Sequence, residues 1–348
     1  MTSSLEFATP STQRARPRVA LAMGDRALRD SLFSPKLRDR LHRVADCDYD
    51  VVIQSFDAVP DDALARIDVL LTGWHAPRVD REALERLPDL KLIAHAGGTV
   101  KGHVGHECWE RGISVTTAAL ANAIPVAEFA LAQILFAGKF AWEASRLYVE
   151  TRRVIDRERK FPTAGNYEKT VGIVGASKIG RLVLGHLRRF DMDVVVFDPT
   201  VDADEIAVLG ARKVELDELM RVSDIVSLHA PVLSTTIGMI GRQELASMRD
   251  GATLINTARG ALVDHSALRE ELLSGRLHAA LDVTTPEPLP QDDPLFGLRN
   301  VFVTPHMAGS TGAELHRMTA LALTEIERFA SGEAPVHPVS LDELRYVA

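Results

Sequence analysis

Val171-Gly172-Ile173-Val174-Gly175-Ala176-Ser177-Lys178-Ile179-Gly180, continued by Arg181-Leu182-Val183-Leu184-Gly185-His186-Leu187, is the stretch whose reading decides the fold. Its apolar run, glycine turn and helical periodicity predict a strand that feeds a helix. Such a turn aims backbone N–H groups and the positive end of a helix at a pyrophosphate, which is how dinucleotide folds hold phosphate. Working outward, the next strand-like run, Asp193-Val194-Val195-Val196-Phe197, ends in Asp198, 18 residues after Gly180. An acid at that distance accepts hydrogen bonds from the adenosine ribose. It also opposes a 2′-phosphate, so NAD is expected rather than NADP. The second glycine of G-x-G-x-x-G is replaced by Ser177, whose hydroxyl either bonds the pyrophosphate or is merely tolerated.

The 348 residues, 46% hydrophobic and 25% charged, suffice for two ordinary globular cores. A net charge of −8 argues against a nucleic-acid partner, because neutralising phosphates requires an excess of basic surface. Cys47 and Cys108 are the two cysteines, and no charged-then-apolar leader precedes the first strand. A disulfide scaffold is therefore not expected, and the cytoplasm is the expected compartment. Val126 to Phe140 is the most apolar helical stretch, but Glu128, Gln133 and Lys139 mark it as a core helix and not a membrane span.

Taken in order, residues 1–16 are polar and aperiodic and read as a disordered tail. Strands are then expected at Val19–Met23, Val51–Ile53, Val69–Gly73, Lys91–His95 and Ile113–Thr116, with helices over Ser34–Val44, Asp61–Arg66 and Arg81–Leu87. Strands alternating with helices imply an α/β fold with a parallel sheet, whose ligands gather at the strands' carboxyl ends. The loops Gly73–Ala76 and Ala96–Lys101 lie at such ends. One long helix is expected from Asn122 to about Tyr148, entered through Pro125 and separating two α/β units. After the fingerprint, Asp224–His229, Ala252–Asn256, Ala279–Val283 and Val301–Thr304 read as strands that converge on one crevice. Thr311–Phe329 reads as a last helix, and Val336–Val347 as a return to the first unit.

Reduction of a 2-oxo acid needs a cation for the carboxylate and carbonyl and an acid for the developing alkoxide. Arg259, His306 and Glu287 lie at strand ends and suit those tasks: a permanent guanidinium fork, an imidazole, and a carboxylate between prolines that would hold the imidazole protonated. Together with the fingerprint and Asp198, the stretches Leu228-His229-Ala230-Pro231, Ile255-Asn256-Thr257-Ala258-Arg259-Gly260, Leu281-Asp282-Val283, Glu287-Pro288 and Thr304-Pro305-His306 resemble the D-isomer-specific 2-hydroxyacid dehydrogenases over roughly residues 18–340.

The resemblance implies two Rossmann-like or flavodoxin-like domains. The NAD-binding one, residues 122–311, would be inserted into a split substrate domain of residues 17–121 and 312–348. It implies a homodimer built on the linking helix, and Arg259, Glu287 and His306 as the catalytic trio. Gly175, Ser177, Lys178, Ile179, Gly180, Asp198, Ala230, Thr257 and Ala258 would line the cofactor, with Gly309 joining them and Asp282 binding the nicotinamide carboxamide. Gly98 and Thr99 would give backbone N–H groups to the substrate carboxylate, as a glycine-rich nest does. That loop departs from the family's Ala-Gly-x-Gly-x-Asp, with Thr99 for the second glycine and Lys101 for the acid.

Each of these residues has a plainer reading. Singly, Arg259 is a surface arginine, Glu287 a solvated loop acid and His306 a structural histidine; their joint order is what argues for chemistry. His229 either lines the crevice or serves a structural hydrogen bond. The stripe Phe129, Ile134, Leu135 and Phe140 reads as packing; Trp74, with His75, either lets a substrate side chain pass or packs, and Lys101 either adds a positive charge for a diacid or phosphorylated substrate or is simply an exposed lysine. His103, His106 and Cys108 lack a second ligand pair, so no metal site is expected. An NAD-responsive corepressor-like binding protein retains the same trio and is the alternative from another class. Formate dehydrogenases pair the histidine with glutamine, whereas this chain has Glu287.

Overall fold

The structure, a computed structural model, describes residues 16–345. The expected disordered tail thus lies outside the described residues except for Arg16, as do the last two residues of the expected C-terminal return. Two compact units are present: the residues up to Ala118 together with Leu315–Leu344, and Ala119–Glu314.

The first unit is a parallel sheet of β1 (Val19–Ala22), β2 (Val52–Ile53), β3 (Val69–Thr72), β4 (Leu92–His95) and β5 (Ser114–Thr117), in the order β2-β1-β3-β4-β5. This is the flavodoxin-like order. The interior strands β3 and β4 are buried along their whole length, which is why they read as nearly unbroken apolar runs. Ser34 caps the Pro35–Val44 helix by accepting from Leu37 N, and proline at the first helical position costs no hydrogen bond there. The Leu315–Ser331 helix buries Met318, Ala322, Leu323 and Ile326. Arg40 holds it through Glu327 (2.6 Å) and the Ala320 carbonyl (2.9 Å). Its buried Glu325 accepts from Val336 N and His337 N, and from there residues 338–339 run back along β5.

The second unit holds β6 (Lys169–Val174), β7 (Met192–Phe197), β8 (Arg212–Lys213), β9 (Ile225–Leu228), β10 (Thr253–Asn256), β11 (His278–Leu281) and β12 (Val301–Val303). Their order, β12-β11-β10-β9-β6-β7-β8, is parallel throughout and reverses direction at β6. After β7 and β8 on one side of β6, the chain crosses to β9 on the other, and that switch point opens a crevice at the carboxyl ends.

The long linking helix differs from expectation. Helix runs from Ala119 to Gly138, stops, and restarts from Ala141 to Thr151, with Phe140 in the left-handed region at φ 50°. Pro125 lies inside the first helix and not at its entrance. The break sits where Gly138 is crowded by Asn166: a Cβ on Gly138 would lie 1.9 Å from Asn166 Oδ1, and Gly165 N donates to the Gly138 carbonyl. The first helix is long and apolar enough to cross a membrane. Here its Ala127, Ala130, Ile134 and Ala137 share a core with Val171, Ile173, Val183 and Leu187 of the fingerprint strand and helix.

Candidate functional site

The fingerprint stretch forms β6, a turn, and the Lys178–Leu187 helix. Gly175 has φ +96°, and a Cβ there would lie 2.7 Å from Ala230 N, so only glycine allows the turn to pass the end of β9. Gly180 packs even closer, with its would-be Cβ 2.1 Å from the Gly175 carbonyl oxygen. Ser177 is the helix N-cap: its Oγ accepts from Gly180 N at 3.3 Å, in extended backbone that needs no glycine. The hydroxyl therefore holds the helix start and leaves the preceding first-turn N–H groups, those of Lys178 and Ile179, for an anion.

Asp198 follows β7 and turns back onto the same loop. Its Oδ2 accepts from Ala176 N (2.7 Å), and its Oδ1 from Thr200 N (2.8 Å) and Thr200 Oγ1 (2.7 Å). Burial opposes ionisation, yet the bonds from Thr200, Ala176 and Val201 outweigh it and hold the carboxyl below its ordinary value. An ionised acid beside a helix start, with the glycine cradle at Gly175, fits the adenosine half of NAD. Along the same strand ends, Thr257 Oγ1 is buried without a hydrogen-bond partner, a polar atom left for a ligand.

At the ends of β10, β11 and β12, three loops carry the charged groups. Asn256, fully buried, ties the first loop: its Oδ1 accepts from Ala258 N (3.0 Å) and its Nδ2 donates to the Arg259 carbonyl (2.9 Å). Arg259, half-buried, donates from Nη1 to the Ala258 carbonyl (2.6 Å). Gly260 then passes against the second loop, where a Cβ would lie 2.1 Å from the Thr284 carbonyl oxygen. That close approach joins the Arg259 loop to the one bearing Glu287. From the third loop His306, in the left-handed region at φ 51°, places Nδ1 2.6 Å from Glu287 Oε1. Both side chains are partly open to solvent.

Asp282, 3% exposed, anchors the His306 loop. Its Oδ1 accepts from Thr304 Oγ1 (2.6 Å) and Met307 N (2.8 Å), its Oδ2 from Ala308 N (2.9 Å), and its carbonyl from His306 N (2.9 Å). Three of the roughly four acceptor sites of this carboxylate are thus occupied within the protein. Gly309 passes Asn122, whose Oδ1 accepts from Ser310 N (2.9 Å). The sequence reading overlooked Asn256, Thr200 and Thr304, although an Asn two residues before an N–H it caps is a recognisable Asx turn.

The remaining residues singled out in the sequence fall as follows. His229 does not line a crevice: it is 3% exposed, with Nε2 2.9 Å from Ser227 Oγ and its pKa pushed down to about 4 by burial. Trp74 is 36% exposed. In the first unit Gly98 and Thr99 are partly buried, Thr99 Oγ1 accepts from Lys101 N (3.4 Å), and Lys101 is exposed. His103 is buried against His95, Cys108 Sγ donates to the Val79 carbonyl, and His106 is exposed.

The chain is similar to several known proteins. The chain is 33% identical over 268 residues to a D-3-phosphoglycerate dehydrogenase of Archaeoglobus fulgidus, covering 77% of this chain and 50% of that one. It spans about half the length of the several D-3-phosphoglycerate dehydrogenases it matches in this way. A glyoxylate reductase of Korarchaeum cryptofilum is 34% identical over 277 residues, 77% of this chain and 81% of its own. The solved structure of a phosphoglycerate oxidoreductase from Rhizobium etli superposes with a TM-score of 0.79 at 27% identity, covering 93% of this chain and 99% of that one. Residues 131–308 match the description "D-isomer specific 2-hydroxyacid dehydrogenase, NAD binding domain". These residues form an NAD-binding domain, and the chain belongs to the D-isomer specific 2-hydroxyacid dehydrogenase family.

Proposed function

We propose that this protein interconverts a 2-oxo acid and its 2-hydroxy acid, of D configuration by family membership, with NAD as the hydride carrier. The observation that carries the reading is the 2.6 Å contact between His306 Nδ1 and Glu287 Oε1, on the loop adjoining that of Arg259. NADH, when bound, would supply the hydride for the substrate's carbonyl carbon. Arg259 holds the carboxylate and polarises the carbonyl oxygen with its planar fork. His306, its Nδ1 engaged by Glu287, donates the Nε2 proton to that oxygen during reduction and accepts it back during oxidation. Gly98 and Thr99 take the carboxylate with backbone N–H groups. Gly175, Ser177, Lys178, Ile179, Gly180, Asp198, Ala230, Thr257, Ala258, Asp282 and Gly309 shape the cofactor site.

The test is a panel of 2-oxo acids offered with NADH and with NADPH. Reduction with NADH is expected, at a kcat/KM about 100-fold above that with NADPH, because the ionised Asp198 meets a 2′-phosphate as a like charge. NADH binding without turnover of any 2-oxo acid would instead mark an NAD-responsive binding protein and sink the enzymatic reading.

The same reading makes the protein a homodimer. In support, the linking helices and the segment after them expose Phe136, Tyr148, Val149, Val154 and Tyr167, each more than half exposed. Apolar surface gathered on one segment suits a partner face. Sedimentation at twice the chain mass is expected; a monomer at micromolar concentration would refute it.

A further inference from the structure

In the first unit, Thr72 at the end of β3 lies opposite His95 at the end of β4, in parallel register. His103 comes in from the following segment and sets its ring 4.5 Å from that of His95. Thr72 Oγ1 is 2.9 Å from His95 Nδ1 and 3.4 Å from His103 Nε2, and all three residues are buried. A threonine hydroxyl has one proton, so it donates to one imidazole and accepts from the other. Donation to His95 Nδ1 and acceptance from His103 Nε2–H is the arrangement that leaves a proton on His95 Nε2, in keeping with the Thr99 backbone, which favours a proton on that ring. His95 then carries its proton on Nε2. Burial keeps both rings neutral, pushing His103 down to about 4 and His95 well below its usual value, where His103 also opposes a second charge.

That Nε2 is buried and has no hydrogen-bond partner. Directly over it passes Gly97, where a Cβ would lie 2.4 Å from the nitrogen. The loop is pinned on either side: the Gly97 carbonyl accepts from Ala118 N (2.9 Å), and the Val100 carbonyl from His103 N (3.1 Å) and Val104 N (3.0 Å). Gly98 and Thr99 form the arch between the pins, and the Thr99 backbone favours a proton on the imidazole beneath.

We propose that His103, Thr72 and His95 are positioning residues: a directed chain of hydrogen bonds that presents His95 Nε2–H to the underside of the Gly97–Val100 arch and holds it in the form that binds a substrate carboxylate. This rests on the assignment of Gly98 and Thr99 to that carboxylate. None of the three touches substrate, so their loss acts through the arch.

Two measurements test it. The nitrogen NMR spectrum of histidine-labelled protein at neutral pH should place both His95 and His103 in the neutral Nε2–H form; a proton on His95 Nδ1 overturns the proposal, whatever the enzyme's activity. With glyoxylate as the probe, Thr72→Val, which deletes only the linking hydroxyl, should raise KM about tenfold. Its kcat and NADH affinity should stay within about twofold of the parent, and His95→Gln, which retains a donor near Nε2, should lie between. An unchanged KM, or equal losses in kcat and NADH affinity, overturns it. Should the parent reduce no 2-oxo acid at all, the functional reading fails by itself and the NMR arm still decides this one.

Discussion

A chain with His306 replaced by alanine is expected to reduce 2-oxo acids about a thousandfold more slowly than its parent, the span a positioned general acid supplies. In free energy that is about 4 kcal/mol of transition-state stabilisation. NADH affinity, followed by fluorescence titration, should stay within about twofold, because the cradle at Gly175, Ser177 and Asp198 is built on other loops. Equal rates for variant and parent would remove His306 from the mechanism. Glu287→Gln keeps a carbonyl oxygen near His306 Nδ1 and removes the charge, so a smaller loss of about tenfold to a hundredfold is expected.

Replacing Asp282 with alanine should be nearly as damaging, by a different route. The change strips acceptors from Thr304 Oγ1, Met307 N and Ala308 N together, and Ala308 is buried, so water does not replace what is lost. An unpaired buried donor costs about 1–3 kcal/mol. A fall in Tm of several degrees is expected, with kcat down about a hundredfold as His306 leaves its left-handed turn. Were Asp282 only a ligand of the nicotinamide carboxamide, the loss would fall on NADH affinity, with Tm unchanged. Thermal melts and NADH titration of the same preparation separate the two.

How much of this was legible beforehand depends on the reach of each interaction. The strands and the turn at Gly175 announce themselves because parallel strands buried on both faces are unbroken apolar runs and the turn requires glycine. Arg259, Glu287 and His306 stood out as charged residues just beyond such runs. Ser177 carried two readings because a fingerprint weighs the ligand and not the helix; its place one residue before a helix was itself a capping signal. The break after Gly138 was hidden, since what crowds it, Asn166, is 28 residues away in sequence. The same holds for the Asp282 anchor, whose partners lie 22 to 26 residues on. Nor does periodicity distinguish a buried neutral histidine from an exposed one, so His95 reads only as the end of a strand and His103 only as a member of a metal set that lacks a second ligand pair.

The enclosed imidazoles give the molecule an acid limit of its own. His103 in one unit and His229 in the other bind a proton only near pH 4 when folded, against an ordinary value of 6.5. As pH falls through that interval, protons go preferentially to the unfolded chain, and each such ring withdraws up to about 1.4 kcal/mol of stability per pH unit. Above about pH 6.5 the drain is absent, because both states are then unprotonated. Both cores therefore loosen under mild acid, in a range where most carboxylates are still ionised.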